Sequence, residues 1–407
     1  MKDFCGNELP VAPPYGANTV ADLFESAGTL TAQGSLTPEP HPIYGAGRHD
    51  LLGIAGRIEK AGGKPHTYRS VCVVMVDGMG ESLLRTYGSY APFLKNATSL
   101  GPLHSAVPST TVASLTSLGT SSPPGYHAMA GYELKNPETG QVMNQLSGWD
   151  KTVDPHLWQP HPTVFERYEK HLDVATVSLS KYAGTGLSEA GLRGGRFVHA
   201  QGYAARTTLA ASLLSSRKPS LVYLYWGELD QAGHKYGAHS QQWLEQLEEL
   251  NLALKNLAKR LPPHVLLLVT ADHGMVDVEP TNRYDYSQDP ALLENIELTA
   301  GEPRMVQLHL KDTSAAAKEA TMQRWADAWG EQAWIIDTEE AFNGGYFGAH
   351  ITETARARIG EVLVAAREQV ALYDMRHYKP HALNMVGQHG SLTAEETQVP
   401  LLMLPTG

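Results

Sequence analysis

Asp230-Gln-Ala-Gly-His234 sets a carboxylate and an imidazole four positions apart. On a helical turn that spacing puts both on one face, within reach of a common cation. A surface aspartate beside a capping histidine would give the same spelling, so the motif is informative only in company. Thr270-Ala-Asp272-His273-Gly274 supplies that company. Adjacent Asp and His at the end of an apolar run can point toward two neighbouring ions, although an Asx-turn closing a strand would look similar. Gln388-His389-Gly390-Ser391 adds a histidine in a glycine-flanked loop, one of 18 in the chain. Asp77 follows a third apolar run. Together Asp77, Asp230, His234, Asp272, His273 and His389 form a mixed oxygen and nitrogen donor set. Such a set suits zinc better than calcium or magnesium, and its carboxylate half also fits manganese.

A nucleophile candidate lies in Val107-Pro-Ser109-Thr110-Thr111-Val-Ala-Ser114-Leu-Thr116, where hydroxyls precede and open an expected helix. Helix starts favour Ser and Thr as caps, which accounts for any one of them without chemistry. The same place favours a nucleophile on phosphorus, because first-turn amides and the helix dipole attract phosphate. A threonine hydroxyl reacts at neutral pH only when a metal or base lowers its pKa, and two zinc ions would do so.

The elements that must position these groups are legible. Ser70 to Val76 is a short β-branched run ending in Asp77-Gly78-Met79-Gly80, as expected of a strand buried on both faces. Leu221 to Tyr225 stands before Asp230 and His234, and Val265 to Val269 before Asp272 and His273. Between them Trp243, Leu247, Leu250, Leu254, Leu257 and Leu261 mark one face of a helix that Pro262-Pro263 should stop. Strand, helix, strand is a βαβ unit. The fold expected is therefore α/β, a doubly wound, mostly parallel sheet covered by helices on both faces, with a smaller α+β insertion. Such sheets bind ligands beyond the carboxyl ends of their strands, where these acids and histidines fall. Residues 1–66, rich in Gly, Pro and polar types, are expected as an irregular arm packed on the core. Residues 67–276 and 387–407 would form that core. Residues 277–386 would form the insertion, with a strand from Met305 to Leu310 and a helix from about Ala315 to Trp329.

The 407 residues carry a formal charge of −11, which argues against a nucleic-acid duplex or an anionic membrane as partner. It leaves room for a small-molecule phosphate ester or nucleotide, since metals supply positive charge locally. Two cysteines, Cys5 and Cys72, argue against a disulfide framework. With neither a signal-peptide core nor an apolar run long enough to span a membrane, a cytoplasmic location is expected. No pattern in the sequence speaks to oligomeric state.

From about Val71 to Leu404 the motifs, in order, resemble the type I phosphodiesterase/nucleotide pyrophosphatase family of the alkaline phosphatase superfamily. They are Val-Asp77-Gly-Met-Gly, Pro-Ser-Thr-Thr111, Asp230-Gln-Ala-Gly-His234-Lys-Tyr-Gly, Ala-Asp272-His273-Gly-Met and His389-Gly. The resemblance implies that Asp230, His234 and His389 hold one zinc. Asp77, Asp272 and His273 would hold the other, with Thr111 completing its shell. It implies a covalent phospho-threonine formed on Thr111 and then hydrolysed. The register Pro108 to Thr111, with Thr120-Ser121 and Pro124-Gly-Tyr-His127-Ala128 behind it, selects Thr111 over Thr110.

The chain departs from the family pattern at several places. An Asn that many nucleotide-cleaving members carry is replaced here by Met129-Ala-Gly131-Tyr132, so either the Tyr132 hydroxyl takes over the phosphoryl contact or that contact is absent. Just after the nucleophile, Ala113 and Ser114 replace the family's Pro and Asn. In Leu192-Arg193-Gly-Gly-Arg196, Arg193 or Arg196 is a candidate for a bidentate phosphate contact, and Arg304 is another. A phosphomonoesterase on the same two zincs is the nearest rival function. A catalytically silent, metal-stabilised binding protein is the rival from another class.

Overall fold

The three apolar runs pair side by side, and their register accounts for the site. In the computed structural model, which describes residues 1–32, 41–45, 49–216 and 218–407, the strand Ser70–Val76 is buried throughout. It pairs in parallel with Ser220–Trp226 on one side and Val265–Thr270 on the other. Val76 is level with Trp226, and Met75 with Thr270. Asp77 and Asp272 therefore leave adjacent strands at one height, on strands about 4.8 Å apart. Asp230 and His234 follow on the helix Glu228–Tyr236.

These strands centre a seven-stranded sheet in the order Thr98–Ser99, Leu401–Leu404, Val265–Thr270, Ser70–Val76, Ser220–Trp226, Asp173–Ser178, Arg196–His199. Its last five members are mutually parallel, and Leu401–Leu404 returns antiparallel. The helix Gln241–Ala258 buries Trp243, Leu247, Leu250, Leu254 and Leu257. It ends at Ala258, four residues before the proline pair. Leu261 stays buried in the turn that follows, and proline disfavours the helical region for the residue before it.

A second, antiparallel sheet has six strands, in the order Ala333–Asp337, Val362–Ala366, Met305–Leu310, Ile296–Glu302, Glu133–Asn136, Gln141–Asn144. Four come from 277–386 and are backed by the helix Ala315–Trp329. The other two are a hairpin from far upstream, so this layer is not confined to the stretch that looked like an insertion. Its junction, Gly301 opposite Glu133, sets Tyr132 beside the smaller sheet.

The N-terminal arm is also more regular than its composition promised. Leu23–Ala32 is a helix whose Leu23, Phe24, Ala27 and Leu30 join Val20 in the main core. Their helical spacing is masked in the sequence by intervening Gly, Ser and Thr. The parts of the arm at 33–40 and 46–48 lie outside the described residues. Among the described residues no helix is long and apolar enough to cross a membrane.

Candidate active site

Thr110 and Thr111 divide their tasks at the start of the helix Thr111–Thr120. Thr110 is the cap: its backbone is extended and its hydroxyl accepts from the Ala113 amide at 3.4 Å. Thr111 is the first helical residue, and its Oγ lies 3.1 Å from His273 Nε2. Thr110→Ala should cost about 1 kcal/mol of stability and leave the threonine facing the histidines in place. Thermal melts read beside phosphatase and phosphodiesterase assays check this. Loss of turnover without loss of stability would reverse the two roles.

The three histidines are held alike. His234 Nδ1 lies 2.7 Å from the Gly387 carbonyl, His273 Nδ1 3.0 Å from that of Gly274, and His389 Nδ1 2.9 Å from that of Ser109. A carbonyl only accepts, so each Nδ1 carries the proton and each Nε2 presents a lone pair. The Nε2 atoms converge. His389 Nε2 is 3.3 Å from His234 Nε2, which is 3.3 Å from Asp230 Oδ2. His273 Nε2 is 3.3 Å from Asp77 Oδ1 and 3.5 Å from Asp272 Oδ2. The rings of His273 and His389 stack at 3.6 Å.

Each carboxylate likewise has oxygens fixed from behind or facing this cluster. Tyr225 donates its hydroxyl to Asp77 Oδ2. Asp272 Oδ1 accepts from the Gly78 and His273 amides at 3.2 and 3.0 Å. The other oxygens, Asp77 Oδ1, Asp272 Oδ2 and Asp230 Oδ1, are buried and accept no hydrogen bond from the described residues. Burial, then the neighbouring Asp230 and Asp272 charges, pushes the Asp77 carboxyl well up, and burial raises Asp272. Burial, then His273 and His234, pushes His389 well down and keeps it neutral. Lone pairs and carboxylates without donors are what divalent cations satisfy, so the residues fit a metal centre.

Two compact three-donor groups stand out, Asp77 with Asp272 and His273, and Asp230 with His273 and His389. The first is the set the family resemblance implies. The second has His273 where that resemblance puts His234. With His234 Nε2 equally close to Asp230 Oδ2 and His389 Nε2, the six donors form one cluster.

Asp77, Asp230, His234 and His389 of the cluster line a cavity of about 790 Å³, with Asp272 and His273 buried behind them. Thr111 and Tyr132 both line it, and the Tyr132 amide donates to Glu302 Oε2 at 3.0 Å. The smaller layer supplies one wall through Glu302, Tyr373, Tyr378 and Met385.

The arginines correct an expectation. Arg193 does not line the cavity. Its guanidinium pairs with Glu166 at 3.1 Å and donates to the carbonyls of Gln159, His161 and Ala190, so no fork remains for a phosphate. Arg196 Nη2 donates to both oxygens of Asp173, and Arg304 is buried against Glu396. Sequence reasoning missed Tyr225, Ser109 and Glu302. Tyr225 and Ser109 sit beside singled-out motifs but act through a backward hydroxyl and a backbone carbonyl, which leave no pattern in the sequence.

Glu302 carries a prediction of its own. Its carboxyl is pushed well above the usual range by burial, with Glu133 and Glu396 adding to the shift. A carboxyl raised on folding contributes stability at low pH that is lost as pH climbs through its folded value. Glu302→Gln keeps an acceptor for the Tyr132 amide and removes the titration. Its melting temperature relative to wild type should therefore rise as pH climbs above the ordinary carboxylate range. A pH-independent difference would show that Glu302 ionises without cost.

The parallel sheet, the acids beyond its carboxyl edge and the threonine at a helix start agree with the alkaline phosphatase superfamily that the sequence motifs resemble. The chain belongs to the type I phosphodiesterase / nucleotide pyrophosphatase family, whose model matches residues 71–392. Mouse and rat ectonucleotide pyrophosphatase/phosphodiesterase family member 7 are 39% identical over 64 residues, 14% of this chain. That stretch spans only 15% of the length of either relative. Among solved structures, an inactive threonine-to-alanine form of murine ectonucleotide pyrophosphatase/phosphodiesterase 5, in complex with AMP, superposes with a TM-score of 0.61 at 15% identity. The match covers 82% of this chain and 87% of that one. Phosphonoacetate hydrolase from Sinorhizobium meliloti, in complex with phosphonoformate, gives 0.60 at 21% identity over 83% and 90%. These likenesses establish the shared fold.

Proposed function

We propose that the protein hydrolyses phosphodiester or pyrophosphate bonds of nucleotide-type substrates, with Thr111 as nucleophile and two zinc ions as cofactors. The observation that carries this is the Thr111 hydroxyl at a helix start, 3.1 Å from His273 Nε2, beside a cluster in which Asp77, Asp230 and Asp272 each keep one buried oxygen without a donor. In this reading Asp230, His234 and His389 hold one zinc, and Asp77, Asp272 and His273 the other, beside Thr111. Bound zinc would lower the pKa of the threonine hydroxyl and polarise the phosphoryl oxygen.

The chain's own groups do the rest. Tyr225 and the Gly78 and His273 amides keep Asp77 and Asp272 aimed inward. The carbonyls of Gly387, Gly274 and Ser109 fix the three imidazole tautomers. Thr111 Oγ, deprotonated, forms a bond to phosphorus while the bond to the departing oxygen breaks on the opposite side. Water then cleaves the threonyl ester, regenerating the hydroxyl and releasing the phosphate product. Tyr132, on the cavity wall, is assigned the phosphoryl contact that an Asn makes in many nucleotide-cleaving members. The AMP complex and the inactive alanine form of the murine neighbour agree with a threonine-dependent, nucleotide-type reaction.

A diester is favoured over a monoester because no arginine lines the cavity among the described residues. A terminal, doubly charged phosphate would lack the bidentate partner that suits it best. Two free cysteines agree with a cytoplasmic setting. The test compares bis-p-nitrophenyl phosphate with p-nitrophenyl phosphate on zinc-loaded protein, with and without a chelator. A chelator-sensitive preference for the diester is expected, and a preference for the monoester would replace this reading with a phosphatase.

A further inference from the structure

We propose that Lys181 and Lys379 form an anion subsite at the cavity mouth, selecting esters whose organic arm carries a second negative charge. This rests on the hydrolase reading above and names the substrate feature it left open. The cavity, at about 790 Å³, extends far beyond what one phosphoryl group beside the cluster would fill. Lys181 lies on the turn Ser180–Tyr182, just beyond the Asp173–Ser178 strand of the main sheet. Lys379 comes from a distant part of the chain, the segment between Tyr373 and Met385, which also lines the cavity. Both lysines are exposed and line the cavity.

Among the described residues neither lysine pairs with a carboxylate, and Lys181 Nζ rests 4.9 Å from the Tyr182 ring centroid. The acids of the same cavity wall are engaged elsewhere. Glu133 accepts the Tyr378 hydroxyl at 3.2 Å and is pushed up to about 6 by burial, while Glu302 accepts the Tyr132 amide. His377 and His381 add two further nitrogen donors at the mouth, His377 Nε2 standing 3.6 Å from Asp374. Apolar side chains, Leu115, Leu146, Leu187, Leu192 and Phe197, line the cavity beside polar ones such as Asn144, Thr176 and Ser188. In a chain of net charge −11, two unpaired ammonium groups lining this cavity match an arm that ends in phosphate or carboxylate.

The test uses three p-nitrophenyl phosphodiesters whose second arm is propyl, carboxypropyl or phosphopropyl. Each is assayed with wild type and with the Lys181→Ala/Lys379→Ala double variant, at low and high salt. Wild type should favour a charged arm over propyl by about tenfold in kcat/KM, expressed in KM and shrinking with salt. In the double variant that ratio should fall toward one. The better of the two charged arms identifies phosphate or carboxylate as the preferred anion. A wild-type ratio of one or less, or a ratio unchanged in the double variant, would overturn the subsite. Turnover of the propyl ester tests the hydrolase reading separately. Should no ester turn over, the same three arms compared by calorimetric Kd on wild type and double variant decide the subsite by the same ratios.

Discussion

Thr111→Ala is expected to lower diester turnover by about a thousandfold or more while leaving the bound metals in place. The expectation combines geometry and local structure. The Thr111 hydroxyl is the one in its segment that faces His273 Nε2, whereas the Thr110 hydroxyl is turned back to cap the helix. Alanine is the best helix former and sits comfortably at a first helical position, so the fold should be unaffected. The six aspartate and histidine donors remain, so metal content measured by elemental analysis should not change. Thr111→Ser keeps a hydroxyl and should retain part of the activity. Substantial turnover by the alanine variant would remove Thr111 from its role.

Stripping the metals is the second large effect. Without cations, Asp77, Asp230 and Asp272 stand together in a buried cluster, and three of their oxygens have no hydrogen-bond donor. Each ion present at a thousandfold its dissociation constant stabilises the folded state by about 4 kcal/mol, so two contribute about 8 kcal/mol. Removing both should therefore lower the melting temperature by about 10 °C and abolish turnover together. Returning zinc should restore both, and the same titration with manganese ranks the two metals. A lowered melting temperature in a protein that never turned over any ester would point to the metal-stabilised binding protein instead. An unchanged melting temperature with the metals demonstrably gone would contradict the cluster as a metal centre.

Much of this arrangement was legible before any coordinates. Apolar runs ending in Asp77, and just ahead of Asp230 and Asp272, announce buried parallel strands, because burial on both faces leaves no alternation to confuse them. The metal-ligand candidates could be read because each falls just past a strand, where an open α/β sheet places its chemistry. Other features depended on tertiary partners. The Glu133–Asn136 hairpin joins a sheet built more than 150 residues later, and no local pattern encodes that pairing. Arg193 was a candidate phosphate contact by its place between the nucleophile segment and Asp230, yet its partners are Glu166 and the carbonyls of Gln159, His161 and Ala190. The helix Leu23–Ala32 escaped notice because Gly, Ser and Thr dilute its apolar stripe, and packing against the core stabilises what propensity alone would not.

The stereochemical course at phosphorus tests the covalent route most directly. Hydrolysis of a chiral phosphorothioate diester in oxygen-18-labelled water would be followed by determining the configuration of the product. Attack by Thr111 and then by water are two in-line displacements, each inverting the centre, so the account predicts net retention. Net inversion would mean that water attacks the substrate directly, and would contradict a phospho-threonine on Thr111.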